Sequence, residues 1–187
     1  DETTNISHTL LSRFGLYKKE LESTLNLFDI STKGTIAGEG AAFFLLANEP
    51  SASDYAQLEG MATFYNNGSL QETESRIANF LLDQSIAFDE IDLVITGRNG
   101  DVVSDKNYSF IEQSAFKNIP AINYKHLCGE YPTSTAFALW LGVNIIKSGA
   151  LPASMRSDTG EAKQIKRILI YNNFQHTHHS LVLISAC

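Results

Sequence analysis

Lys125-His-Leu-Cys-Gly-Glu-Tyr-Pro-Thr-Ser-Thr-Ala-Phe-Ala-Leu-Trp-Leu-Gly-Val-Asn-Ile-Ile-Lys-Ser-Gly149 is the stretch that decides the fold. From Thr133 to Lys147 the apolar residues Ala136, Phe137, Leu139, Trp140, Leu141, Val143, Ile145 and Ile146 fall on nearly every side of a helix, which Gly149 ends. A helix that is apolar all round belongs between layers of a protein rather than on its surface. The loop in front of it carries a lysine, a glycine and a glutamate, Lys125, Gly129 and Glu130, within six residues.

Working outward, strands and helices alternate on both sides of this helix. Pro120 to Tyr124 reads as a short strand, Asp105 to Phe116 as a helix, and Ile91 to Ile95 as a strand ending at Gly97. Ser69 and Glu72 form an S-x-x-E signature ahead of Leu70, Ile77, Phe80 and Leu81, so Ser69 to Ser85 reads as an amphipathic helix. Downstream, Arg167 to Tyr171 and Ser180 to Ile184 are two apolar strands joined by an Asn- and His-rich turn. In the first third, Leu10, Leu11, Phe14 and Leu16 suggest a helix-like opening. Ala41 to Ala47 reads as a buried strand entered through glycines, antiparallel to a second strand from Tyr55 to Phe64. The expectation is a layered α/β domain with a mixed sheet and a buried central helix.

Composition narrows the function. The 187 residues are 43% hydrophobic and 19% charged, enough for one core without disulfides or metals. A net charge of −7 excludes the basic stripe of a nucleic-acid binder, Lys163, Lys166 and Arg167 being the nearest approach, and disfavours an anionic membrane surface. No apolar run reaches the roughly 18 residues of a membrane span. Two cysteines, Cys128 and Cys187, give no disulfide framework, and a reducing cytoplasm is the expected compartment.

Three segments, in order, resemble β-ketoacyl synthases. Gly38-Glu-Gly-Ala41 before an apolar run is similar to that family's G-E/D-G-A segment. Lys125 with Gly129, opening a long buried helix, resembles its K-x-x-x-G-H segment. Asn172-Asn-Phe174 between two strands resembles its closing N-S-F-G-F-G-G-T-N hairpin. The strand ending at Gly97, followed by Asp105, is a fainter fourth match to its N-A-H-G-T-x-T segment and aspartate. The resemblance implies a thiolase-like layered sandwich, with residues 1–50 closing the first ketosynthase half and residues 51–187 forming the second. It also implies that the half carrying the nucleophilic cysteine lies upstream of these residues.

Such enzymes need a thiolate and two histidines that decarboxylate a malonyl unit and steady the enolate. Where the resemblance puts the first histidine, the chain reads Thr96-Gly-Arg-Asn-Gly100, in which Arg98 is a candidate for an acidic phosphopantetheine or carboxylate, or a plain loop arginine. The second histidine's place holds Glu130. An ionised glutamate only accepts hydrogen bonds and repels an enolate, and Lys125 favours its ionised form. Lys125 and Glu130 are therefore the family's catalytic positions in altered chemistry, read as an ion pair that holds the loop. His126 lies beside the lysine but out of register. Cys128, near a helix start where a thiol pKa can fall, reads as a packing cysteine rather than a nucleophile. Asp105 matches the family aspartate or simply caps its helix. In the closing turn, Phe174 and His176 are candidate substrate contacts, and Gln175 to His179 replace a glycine-rich loop. His176, His178 and His179 have no acidic or cysteine partner nearby, so no metal and no cofactor is expected.

Three readings follow. The first is a degenerate subunit similar to chain length factors, shaping the acyl tunnel of a partner ketosynthase that works with an acyl carrier protein, as a homo- or heterodimer. The second is the C-terminal portion of an active synthase performing decarboxylative Claisen condensation, with His126 or the His176 to His179 cluster in play. The third is a non-catalytic α/β binding domain.

Overall fold

The computed structural model describes residues 1–19, 23–29, 31–67, 69–152, 155 and 164–187. Its helices and strands are α1 (Asn5–Arg13), β1 (Gln57–Tyr65), α2 (Leu70–Asp83), β2 (Leu93–Thr96), α3 (Asp105–Gln113), β3 (Ala121–Asn123), α4 (Lys125–Cys128), α5 (Ser134–Ser148), β4 (Arg167–Phe174) and β5 (His178–Ser185). The strands form one mixed sheet in the order β1-β5-β4-β2-β3. β2 runs parallel to β3 and β4, while β5 is antiparallel to β4 and β1.

The alternation of side chains along β4 sorts the core into two layers. Ile168 and Ile170 pack with Leu93, Ile95, Val182 and Ile184 against Ala138, Leu141 and Ile145 of α5. Leu169 and Tyr171 face the other way, against Ile77, Phe80 and Leu81 of α2 and Tyr108 and Ile111 of α3. Each of the buried Ile, Leu, Val and Phe side chains among these contributes roughly 1.5–3 kcal/mol. The result is three described layers: α2 and α3, the sheet, and α5.

Local chemistry sets the helix ends. The Ser69 hydroxyl accepts the Glu72 N–H at 3.3 Å, and Glu72 turns its own carboxylate to Arg76, one turn on, rather than back to the cap. α5 stops at Gly149, whose φ of +67° suits glycine and whose N–H reaches the Ile145 and Ile146 carbonyls. At its other end Thr133 makes no cap of its own. The Asp1 carboxylate accepts both the Thr133 N–H and hydroxyl, at 2.9 and 2.6 Å.

One expectation changes. The strand expected at residues 41–47 is not in the sheet. That run is irregular and turned to solvent, with Phe43 93% and Leu45 99% exposed, and β1 pairs with β5 instead. Its apolar composition signals burial but names no partner, and among the described residues none lies alongside. The central helix is covered by the sheet on one side only. Its opposite side presents Trp140, 48% exposed, with Phe137 stacked obliquely beside it. Of the basic trio, Arg167 is held by Glu59 and Glu90, and Lys163 lies outside the described residues. No helix among the described residues is long and apolar enough to cross a membrane.

Candidate functional site

The sequence segments read separately above meet in space. Gly38 lies so close to the loop of Gly129 that a Cβ at either position would collide with the other's backbone. The Gly38 N–H donates to the Glu130 carbonyl at 3.1 Å, and the Glu130 N–H to the Ile36 carbonyl at 2.9 Å. Gly129 adopts a φ of +75°, which an L side chain would resist. At the neighbouring junction, a Cβ on Gly97 would strike the Asn172 side chain and the Tyr108 hydroxyl. Glycine is therefore needed at both crossings by close approach.

Between the crossings lies a polar cluster centred on Glu130. The Lys125 ammonium, with 1% of its side chain exposed, donates to both Glu130 oxygens at 2.7 and 2.6 Å. The Asn99 side-chain amide donates to Glu130 Oε2 at 2.8 Å. Glu130 thus ties the loop after β2 to the loop before α5. These are the two places where the resemblance sets catalytic imidazoles.

The β2 loop is held from the other side by Asp105. Its carboxylate accepts the Asn99 and Gly100 N–H groups at 3.0 and 3.1 Å, so it organises the loop rather than capping α3. Burial pushes the Asp105 carboxyl up, against the pull of those N–H groups and of Arg98. Arg98 points inward, 3.1 Å from Glu112 Oε2 and 3.5 Å from Asp105 Oδ2. Burial also raises the pKa of Glu112, whose Oε1 accepts from the Thr96 hydroxyl.

The remaining candidates disperse. His126 sets its ring edge-on to Phe28, its Nδ1 is buried without a partner, and burial lowers its pKa. Cys128 ends α4 rather than starting a helix. It packs against the α5 layer, and burial pushes its thiol up to about 12, so it stays protonated at neutral pH. In the β4–β5 turn, His176 Nδ1 meets the Asn107 amide at 3.2 Å, His178 contacts Tyr65 and Thr177, and His179 is buried between Phe64 and Tyr171. The three rings engage different partners, and no group of three metal-ligating side chains occurs among the described residues.

Phe174 stands 43% exposed at the lip of an open groove of about 720 Å³ beside the N-terminus of α5. Three cross-strand rows of side chains line it: Met61 with Val182, then Thr63, Ser180 and Asn172, then Tyr65, His178 and Phe174. The contacts missed in the sequence, Asn99 to Glu130 and Arg98 to Glu112, join residues 31 and 14 positions apart. Both contacts run between separate elements, so no periodicity within one helix or strand announces them.

No family model matches the chain, and no curated protein does. Solved structures do. The ishigamide ketosynthase/chain length factor superposes with a TM-score of 0.75 at 14% identity, covering 100% of this chain and 52% of that one. A type II polyketide synthase acyl-carrier protein in complex with its ketosynthase, bound to the hexaketide, gives 0.68 at 15% identity, covering 97% and 53%. A PfaC ketosynthase–chain length factor gives 0.54 at 13% identity over 71% of this chain and 18% of that one. The chain spans about half the length of the first two. With its mixed sheet, its central helix and its four motifs meeting at one place, the chain has the thiolase-like fold of the ketosynthases and chain length factors.

Proposed function

We propose that this chain is a ketosynthase-like component of fatty-acid or polyketide synthesis that does not condense acyl chains itself and acts as a chain length factor does, shaping the tunnel of a partner ketosynthase. One observation carries the reading: Glu130 stands where the resemblance puts an imidazole, and it is committed on both oxygens to buried Lys125 and on one of them to Asn99. A carboxylate so engaged has no proton to give a thioester oxygen and repels a developing enolate. The same three-way tie makes the loops rigid, which suits a scaffold.

The partners in this reading are a ketosynthase subunit and an acyl carrier protein, met in the cytoplasm. In support, two of the superposing structures are ketosynthase/chain length factors, and a third is a ketosynthase in complex with its acyl-carrier protein. The uncovered side of α5 and the exposed run at 41–47 also support the reading in which residues 1–50 close the first α/β half, which would roof the groove. Arg98, Phe174 and His176 are then wall residues; Arg98 is already neutralised by internal carboxylates, which leaves Phe174 as the side chain best placed to touch an acyl chain.

The test is release of carbon dioxide from malonyl-carrier protein. This polypeptide alone is expected to show none, and to alter product length when added to a cognate ketosynthase. Decarboxylation by the chain alone would end the proposal.

A further inference from the structure

The β4–β5 hairpin carries a buried imidazole that the proposed function leaves unused. His179 is 3% exposed. Phe64 of β1 stacks on it at 4.7 Å and 3°, and Tyr171 of β4 lies on its other side at 6.0 Å and 14°. The Tyr171 hydroxyl is 3.0 Å from Nδ1, and the Asn173 amide 3.5 Å. Nε2 is buried with no hydrogen-bond partner. One strand turn away, Gln175 and His176 both hold positive φ, 51° and 63°, and the Thr177 N–H closes the turn on the Phe174 carbonyl. Two consecutive left-handed residues that are not glycine strain a turn. The tip is thus held by the stack and ladder behind it, by the Asn66 N–H donating to the Thr177 carbonyl at 2.9 Å, by His178 edge-on to Tyr65, and by the contact from His176 to Asn107.

We propose that His179 is a proton-operated latch: neutral, it clamps the end of the β4–β5 hairpin, and protonated, it releases the tip that carries Phe174. The neutral ring fits because it accepts at Nδ1 and offers an aromatic face on each side. The protonated ring has two N–H donors; among the described residues no carboxylate contacts it, and only the backbone of Asn66 and His176 favours the charged form. The charged and titratable groups around it are Arg76 of α2, which lies over the far face of Phe64 and is itself paired with Glu72, Tyr171 of β4, Tyr108 of α3 beside Tyr171, and His176 and His178 of the hairpin itself. A cation there must reach water, and the nearest way out is to open the strained tip. Burial, first among the causes, holds the imidazole below its ordinary 6.5; the backbone of Asn66 and of His176 pulls the other way without cancelling it, and His178 and Arg76 add to the lowering. As pH falls below 6.5 the open hairpin therefore takes the proton before the closed one does, and the closed form loses ground until its own lowered pKa is passed.

Hydrogen–deuterium exchange of the whole chain at pH 7.5 and 5.0, corrected for intrinsic exchange, tests the latch on the amides of residues 173–181. Exchange is expected to quicken at least tenfold at pH 5.0 in the native chain and in His178→Ala, and to stay unchanged in His179→Phe, which keeps the stack without the proton. Equal protection at both pH values, or the same loss in His179→Phe, overturns the latch. If that variant does not fold, the ring proton signals of the native chain decide. A His179 midpoint below 6.5 that coincides with faster exchange supports the latch, and one at or above 6.5 overturns it.

Discussion

Lys125 keeps its ammonium almost wholly out of water, and Glu130 at 2.6 Å is what makes that tolerable. Removing one partner strands the other, so Lys125→Met and Glu130→Gln are each expected to lower unfolding stability by about 3–5 kcal/mol. The double substitution should fall short of the sum by about 1–3 kcal/mol; denaturant titration of the four proteins reads the difference, and strict additivity would show that the pair is not coupled. Glu130→His should likewise leave Lys125 unpaired and produce no decarboxylase. At this scale the sequence disclosed the pair, because lysine and glutamate sit five residues apart across a glycine. It concealed the role of Asp105, since an acidic residue opening a helix looks like a cap whether its oxygens face that helix or the preceding loop. It also concealed Asn99, whose attachment depends on how two distant loops are brought together.

The elements with a complete local signature formed as expected. α2 has a serine cap and a helical apolar stripe, α5 has its terminal glycine, and β4 and β5 are apolar on both faces because helices cover both. The first third lacked such closure. Residues 41–47 have the composition of a strand, and a strand is defined by a neighbour that no local pattern specifies. Two substitutions probe elements directly. Gly38→Ala drives a methyl into the Cys128 carbonyl and Gly129, and should cost at least about 2 kcal/mol, read by thermal unfolding. Gln175→Gly relieves one left-handed residue on an exposed turn and should raise stability by about 0.5–1 kcal/mol, the remainder being offset by the freer unfolded chain.

For the molecule as a whole, the telling surface is the outer side of α5. Trp140 is half exposed there, so Trp140→Glu should change the stability of the free chain by only about 0.5 kcal/mol. If that side is where a partner seats, the same change should weaken association with a cognate ketosynthase at least about 30-fold, the loss expected of a central tryptophan. Sedimentation of the native chain and of the variant, each mixed with that ketosynthase, distinguishes the two outcomes, and unaltered association would place the partner elsewhere. The sequence had already marked this helix as two-sided.

The uncharged run Ala41-Ala-Phe-Phe-Leu-Leu-Ala47 bears on how such a protein has to be produced. Seven residues without proline or charge, held open to water, are a template onto which identical segments can stack. Synthesis of this polypeptide in excess over whatever shields that run should end in insoluble material, and joint expression with the shielding chain should rescue the yield. Dosage, as much as affinity, then governs how much of it a cell can keep in working form.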